Sequence, residues 1–284
     1  MKSILDKINN DDELPDLLPF FHITRARNLF SIFESQNFLK FNLNENQKSF
    51  EKDKLFFHYG QPRYRYNVKE QSGYNSRVYL EDKFLQPVCL QFNLESISDN
   101  GVRFIFCPTD SGFMGEVTDL NDLLLSSLEK LQIEDSDYRS LAKYFQKYIK
   151  LVFLNNQNYI KGYIPETLKE EFFDSDQIAE FFKILRSSLK GDIRMRTCEL
   201  IIQMRNDGIN GINIQAVFSY IFLPANCLQG SKDQKNIRNL LENRDELRII
   251  NYNYEMNENE HLDPSRIFDY LQIAVNEKNL FNIN

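Results

Sequence analysis

Hydrophobic positions along this chain fall into short blocks, and the period of the blocks changes midway. Residues 14–21 lead into an extended stretch holding His22 and Thr24. Residues 27–36 then predict a helix, with Leu29, Phe30 and Phe33 on one stripe. A short extended piece at 37–41 and a polar, turn-rich loop at 42–53 follow. Leu55, Phe56 and Phe57 within 54–59 predict a buried strand, stopped by Gly60 and Pro62. Residues 63–77 are polar, basic and aromatic and read as an ordered loop over a cleft. Two apolar runs, PVCLQFNL at 87–94 and VRFIFC at 102–107, predict strands, with a loop at 108–115.

From residue 120 the spacing becomes helical. Leu124 and Leu128 share a face, and Leu141, Tyr144, Phe145 and Ile149 form a second stripe. A further helix is expected at 178–189, with Phe181, Phe182 and Leu185 inward and Gly191 near its stop. Residues 120–190 therefore predict a helical insertion or lid within a single domain of residues 1–284. Strand patterns return with CELIIQM at 198–204, a turn at Asn206, Asp207 and Gly208, and INIQAVFSYIFL at 212–223 before Pro224. These two runs are expected to pair as a hairpin. Residues 248–252 predict a late strand, and 263–275 a helix with Ile267, Leu271 and Val275 on one side. The class is α+β.

With 24 Phe, 14 Tyr and no Trp in 284 residues, much of the core must be aromatic packing. A formal net charge of -7 argues against a general nucleic-acid coat but leaves room for a local basic surface. The cysteines Cys89, Cys107, Cys198 and Cys227 have no close spacing, and the only histidines are His22, His58 and His261. No metal is expected. The first 19 residues do not read as a signal peptide, and no run approaches the ~20 apolar residues of a membrane span. A cytoplasmic protein without a membrane partner is the expectation. No phosphate-binding glycine loop, dinucleotide fingerprint, zinc-protease motif or nucleophile elbow occurs in the sequence.

Three local features carry candidate chemistry. His22 and Thr24 face the same side of an extended segment, ahead of Asn28. An imidazole beside a hydroxyl could bind a ribose diol or a carboxamide; the plainer alternative is that Thr24 caps the next helix. The strand at 54–59 delivers Tyr59, Arg63, Tyr64 and Arg65. Arginines suit a diphosphate and tyrosines can stack on a ring, although a solvated hairpin would look alike. Glu199 enters a hydrophobic strand just after the basic run 190–196, where alternation puts it on one face with Ile201 and Gln203. Pointing inward it needs a partner or a task; pointing outward it is an ordinary surface residue.

In this order the features resemble the ADP-ribosyltransferase superfamily, and within it the DarT-like toxins that modify bases of single-stranded DNA. His22, Thr24, Asn28, Leu29 and Ile32 match the family's opening pattern, with Gln36 where a glycine is usual. Residues 55–59 followed by 61–65 resemble its strand and Arg/Pro-rich loop, residues 87–90 its next strand, and Cys198-Glu199-Leu200-Ile201-Ile202 its catalytic strand start. The resemblance covers roughly the first third of the chain and the stretch 190–225. It implies a split, mixed β core with a helical insertion, and transfer of ADP-ribose from NAD to a nucleic-acid base. Glu199, Arg63 and Arg65 would be catalytic. His22, Thr24, Asn28, Tyr59 and Tyr64 would bind NAD, and Arg77, Arg194 and Arg196 the acceptor. Single-stranded nucleic acid and an antitoxin protein are the implied partners. The competing expectations are a catalytically inactive nucleotide-binding or partner-binding protein of the same fold, and transfer to a protein acceptor.

Overall fold

The computed structural model describes residues 2–6, 8, 14–25, 28, 29, 32, 38–40, 54–60, 87–92, 102–109, 132–135, 137–165, 197–204, 211–213, 218–224 and 248–252. The fold is mixed α+β, and the chain divides into two compact units. The first holds residues 1–18, 42–61 and 98–209; the second holds 19–41, 62–97 and 210–284.

In the first unit, β3 (Lys54–Tyr59), β7 (Glu199–Met204), β5 (Val102–Cys107) and β6 (Ile133–Asp135) lie side by side in that order, all antiparallel. Strand β3 follows the period of a one-sided strand: Leu55, Phe57 and Tyr59 are buried and Lys54, Phe56 and His58 half-buried. Strand β7 is flanked on both edges, and its first four residues are all buried: the apolar run Leu200–Ile202 and, ahead of it, Glu199.

Helices α1 (Lys2–Asp6), α2 (Tyr138–Phe153) and α3 (Asn156–Lys161) belong to the same unit. Asp137 caps α2, accepting from the Arg139 and Ser140 amides. The Ser140 hydroxyl and amide, in that order, hold the Asp137 carboxyl below its ordinary range. The buried side of α2 packs rings onto one face of the sheet. Phe145 lies 4.5 Å from Phe106 and 4.8 Å from Tyr59 between centroids, and Tyr138 lies 5.8 Å from Phe104. Asn155 caps the start of α3, and Gly162, in the left-handed region, closes its end. Part of the expected helical block is thus present as α2 and α3, but Ile133–Asp135 inside it is the strand β6, held by its pairing with β5. The helices expected around Leu124, at 178–189 and at 263–275 lie outside the described residues.

In the second unit, β10 (Arg248–Tyr252) runs parallel to β9 (Phe218–Pro224), β9 antiparallel to β4 (Pro87–Phe92), and β4 antiparallel to β1 (Phe20–Arg25). A separate antiparallel pair joins β2 (Phe38–Lys40) to β8 (Gly211–Asn213). Phe21 meets Phe222 edge-on at 6.4 Å. Asn28, Leu29 and Ile32 are helical, and the latter two are buried; the rest of the helix expected at 27–36, with Phe30 and Phe33, lies outside the described residues.

The expected hairpin between 198–204 and 212–223 does not form. Both edges of β7 are taken by β3 and β5. The second run is divided between β8, paired with β2, and β9, paired with β4 and β10. Among the described residues no helix is long and apolar enough to cross a membrane. Cys89, Cys107 and Cys198 are buried cysteines.

Candidate functional site

Among the described residues of the first unit, chemistry is concentrated at the junction where β3 ends and β7 begins. Register pairs His58 with Glu199 across β3 and β7, and Cys107 with Glu199 across β5 and β7. Side chains directly opposite in adjacent strands share a face, so His58, Glu199 and Cys107 project to one side of the sheet. The next set, Phe57, Leu200 and Phe106, projects to the side on which α2 packs. Glu199 therefore points away from the aromatic core, beside the apolar cluster of Ile105, Cys107 and Ile201, with Phe56 packed against it. Its burial is nevertheless almost complete, at 2% exposed. The His58 Nε2 stands 3.7 Å from Glu199 Oε1, with the two side chains 13% and 3% exposed. That separation is too long for a direct hydrogen bond but short enough for a charge pair when the imidazole is protonated.

The backbone on either side of the pair is held by more than the ladder. The Tyr59 amide donates to the Cys198 carbonyl at 2.9 Å. Tyr159, from α3, donates its hydroxyl to the Tyr59 carbonyl at 2.8 Å and accepts from the Cys198 amide at 3.0 Å. One phenol thus bridges the last residue of β3 and the residue just before β7. Tyr59 itself is fully buried against Phe145 and Tyr159, and its hydroxyl accepts from the Leu18 amide at 3.1 Å. Burial pushes the Tyr59 phenol far up, so it stays neutral. Gly60 then turns the chain with a φ of 66°, and a Cβ there would meet Leu18 Cδ1 at 2.5 Å. Burial likewise pushes the Cys198 thiol far up; its sulfur donates to the Pro108 carbonyl at 3.8 Å.

In the second unit, His22 and Thr24 lie on β1 as half-buried residues, both in the strand conformation that puts them on one side. Thr24 Oγ1 accepts from Asn28 Nδ2 at 2.8 Å. Two of the three residues expected to contact NAD from this segment are therefore in direct contact with each other. Of the remaining expected site residues, Tyr59 and Glu199 sit in the first unit as described. Arg63, Tyr64, Arg65, Arg77, Arg194 and Arg196 lie outside the described residues. Among the described residues there is no group of three or more His, Cys, Asp or Glu side chains suited to a metal ion.

Sequence reasoning did not select His58 or Tyr159. The alternation of β3 shows that His58 shares a face with Phe56, but the strand that faces it is fixed only by register, which is not local. Tyr159 carries no motif; only its burial, at 2% exposed, sets it apart. Comparison of the chain with protein-family models, with curated proteins and with solved structures found no match.

Proposed function

We propose that this protein transfers ADP-ribose from NAD to a macromolecular acceptor, a nucleic-acid base. The observation that carries the proposal is Glu199: a carboxylate buried at the start of an inner strand, turned away from the aromatic core and faced by an imidazole. A buried carboxylate is costly, and its place directly ahead of the apolar run Leu200–Ile202 fits a task at a developing positive charge. In the transfer, the bond between nicotinamide and ribose C1′ breaks and nicotinamide leaves with the electron pair. The acceptor's nucleophile then bonds to C1′ and gives up its proton to solvent or a base. Glu199 steadies the positive charge on the ribose between those events, which stabilises the transition state more than the ground state.

The order of motifs along the chain supports the remaining assignments. His22 and Thr24 recognise the nicotinamide ribose, with Asn28 fixing the Thr24 hydroxyl. Arg63 and Arg65 serve the diphosphate or the acceptor, and Tyr64 stacks on a ring; Tyr59, expected to contact NAD, is enclosed with its hydroxyl bonded to the Leu18 amide and instead anchors the strand that leads to them. Arg77, Arg194 and Arg196 attract the acceptor backbone. A split core with a helical insertion is the fold this function implies.

The test is incubation of the full chain with NAD labelled in the adenylate, in separate pools of single-stranded DNA, RNA and protein. Label retained by nucleic acid after nuclease-free washing is the expected result. Label retained by protein alone moves the acceptor to another class. Label retained by no pool, with NAD still bound, makes the chain a nucleotide-binding protein.

A further inference from the structure

We propose that His58 is a positioning residue for Glu199, holding its carboxylate ionised and in place for the transfer. The role rests on the ADP-ribosyl transfer proposed above; the pairing itself does not.

Several observations converge on it. The two residues are direct partners in the register of β3 and β7, and their nearest charged atoms are 3.7 Å apart. The strand ends that carry them are joined just beyond the pair by the Tyr59 amide and by the bridging Tyr159 hydroxyl. Neither strand can slip by a residue without breaking these bonds, so the imidazole is held opposite the carboxylate. His58 is also the more exposed of the two side chains, at 13% against 3%, so a proton can reach it from solvent while Glu199 stays enclosed. Enclosure alone disfavours the charged carboxylate, and a cation within about 4–6 Å favours it. Protonated His58 supplies that cation.

Other ionisable groups on this face of the first unit's strands, among the described residues, are Cys107 opposite Glu199 on β5, and Lys54, Arg103 and Glu134 farther along the strands. Arg103 is already engaged by Glu134 and Gln203. The α2 side of the sheet presents Tyr59, Tyr148 and Cys198, whose burial keeps them neutral. His58 is thus the group of this set able to add or withdraw charge near Glu199 at neutral pH.

Two measurements on the full chain test the proposal. The chain has only three histidines, so the His58 ring signal in a nitrogen-15 spectrum can be assigned by elimination with His22→Gln and His261→Gln. His58 is expected to titrate at higher pH in the parent than in Glu199→Gln. Coincident titrations overturn the pairing. In the transfer assay, His58→Gln is expected to lower kcat by roughly tenfold or more with KM nearly unchanged, because a displaced carboxylate costs the chemical step and not binding. His58→Lys, which restores a cation, is expected to recover part of the loss. Equal kcat in parent and His58→Gln overturns the positioning role. A parent that labels no acceptor overturns the transfer function instead, and the titration still decides the pairing. Should His58→Gln fail to fold, the parent and Glu199→Gln spectra give the titration result without it.

Discussion

Two pairs of opposite charge stand at opposite ends of one sheet face, and they differ in nearly everything except chemistry. At one end Arg103 Nη1 meets Glu134 Oε2 at 3.0 Å, with side chains 36% and 52% exposed. Arg103 also donates from Nε to Gln203 Oε1 at 2.8 Å. At the other end His58 and Glu199 are enclosed, their contact is longer, and one partner carries charge only when protonated. Ile105 and Ile201 separate the two. The exposed pair has good geometry and little to lose, because water solvates each partner alone nearly as well. The enclosed pair has poorer geometry and a real desolvation cost, so stability is a weak reason for its presence. Placement of a carboxylate where it is costly points to chemistry, and a well-formed surface pair does not.

Four substitutions test this contrast. The largest effect is expected from Ile201→Ala, which opens a cavity in the apolar layer between the pairs. A loss of about 2–5 kcal/mol in denaturant unfolding is the expected cost of such a truncation. A loss smaller than that of an exposed ion pair would mean the layer is not packed. Glu199→Gln comes next. Transfer should fall roughly a hundredfold, in line with removal of one well-placed electrostatic group, while the melting temperature stays near the parent's. Parent-like transfer would take Glu199 out of the mechanism; a large drop in melting temperature would make it structural.

Tyr159→Phe keeps the ring packing and removes the bridge, leaving the Tyr59 carbonyl and the Cys198 amide short of a partner. The expected cost is about 1–3 kcal/mol of stability, read from chemical denaturation. No change would show that water replaces the hydroxyl. The smallest effect belongs to Glu134→Gln, at about 0–1 kcal/mol, diminishing further with added salt. If Glu134→Gln destabilised as much as Tyr159→Phe, the distinction between the two ends would collapse.

Local pattern made many elements legible. The strands at 54–59, 102–107 and 248–252 match β3, β5 and β10 in both bounds. Their alternation or apolar run is bounded by clear polar or turn-forming residues. Helix α2 was legible through Leu141, Phe145 and Ile149, all of which are buried. Strand β6 was not, because its three residues give no period to read. The division of 212–223 was hidden because no Gly or Pro interrupts the run, and only pairing partners show that β8 and β9 serve different sheets. The candidate site divides the same way. Glu199 stood out because a charge in an apolar strand is a local anomaly. His58 and Tyr159 did not, since their importance comes from what lies opposite them after folding. Tyr159 reaches the Tyr59 carbonyl across 100 residues of chain.

The buried thiols give each unit a chemical clock. Burial pushes Cys89 in the second unit and Cys198 in the first toward the neutral, unreactive form, and Cys107 is fully enclosed opposite Glu199. Alkylating reagents attack the thiolate, so each sulfur can be modified only while the strand around it is open. The rate at which Cys107 or Cys198 is blocked therefore counts openings at the Glu199 end of β7, and the rate at Cys89 counts openings of β4 independently.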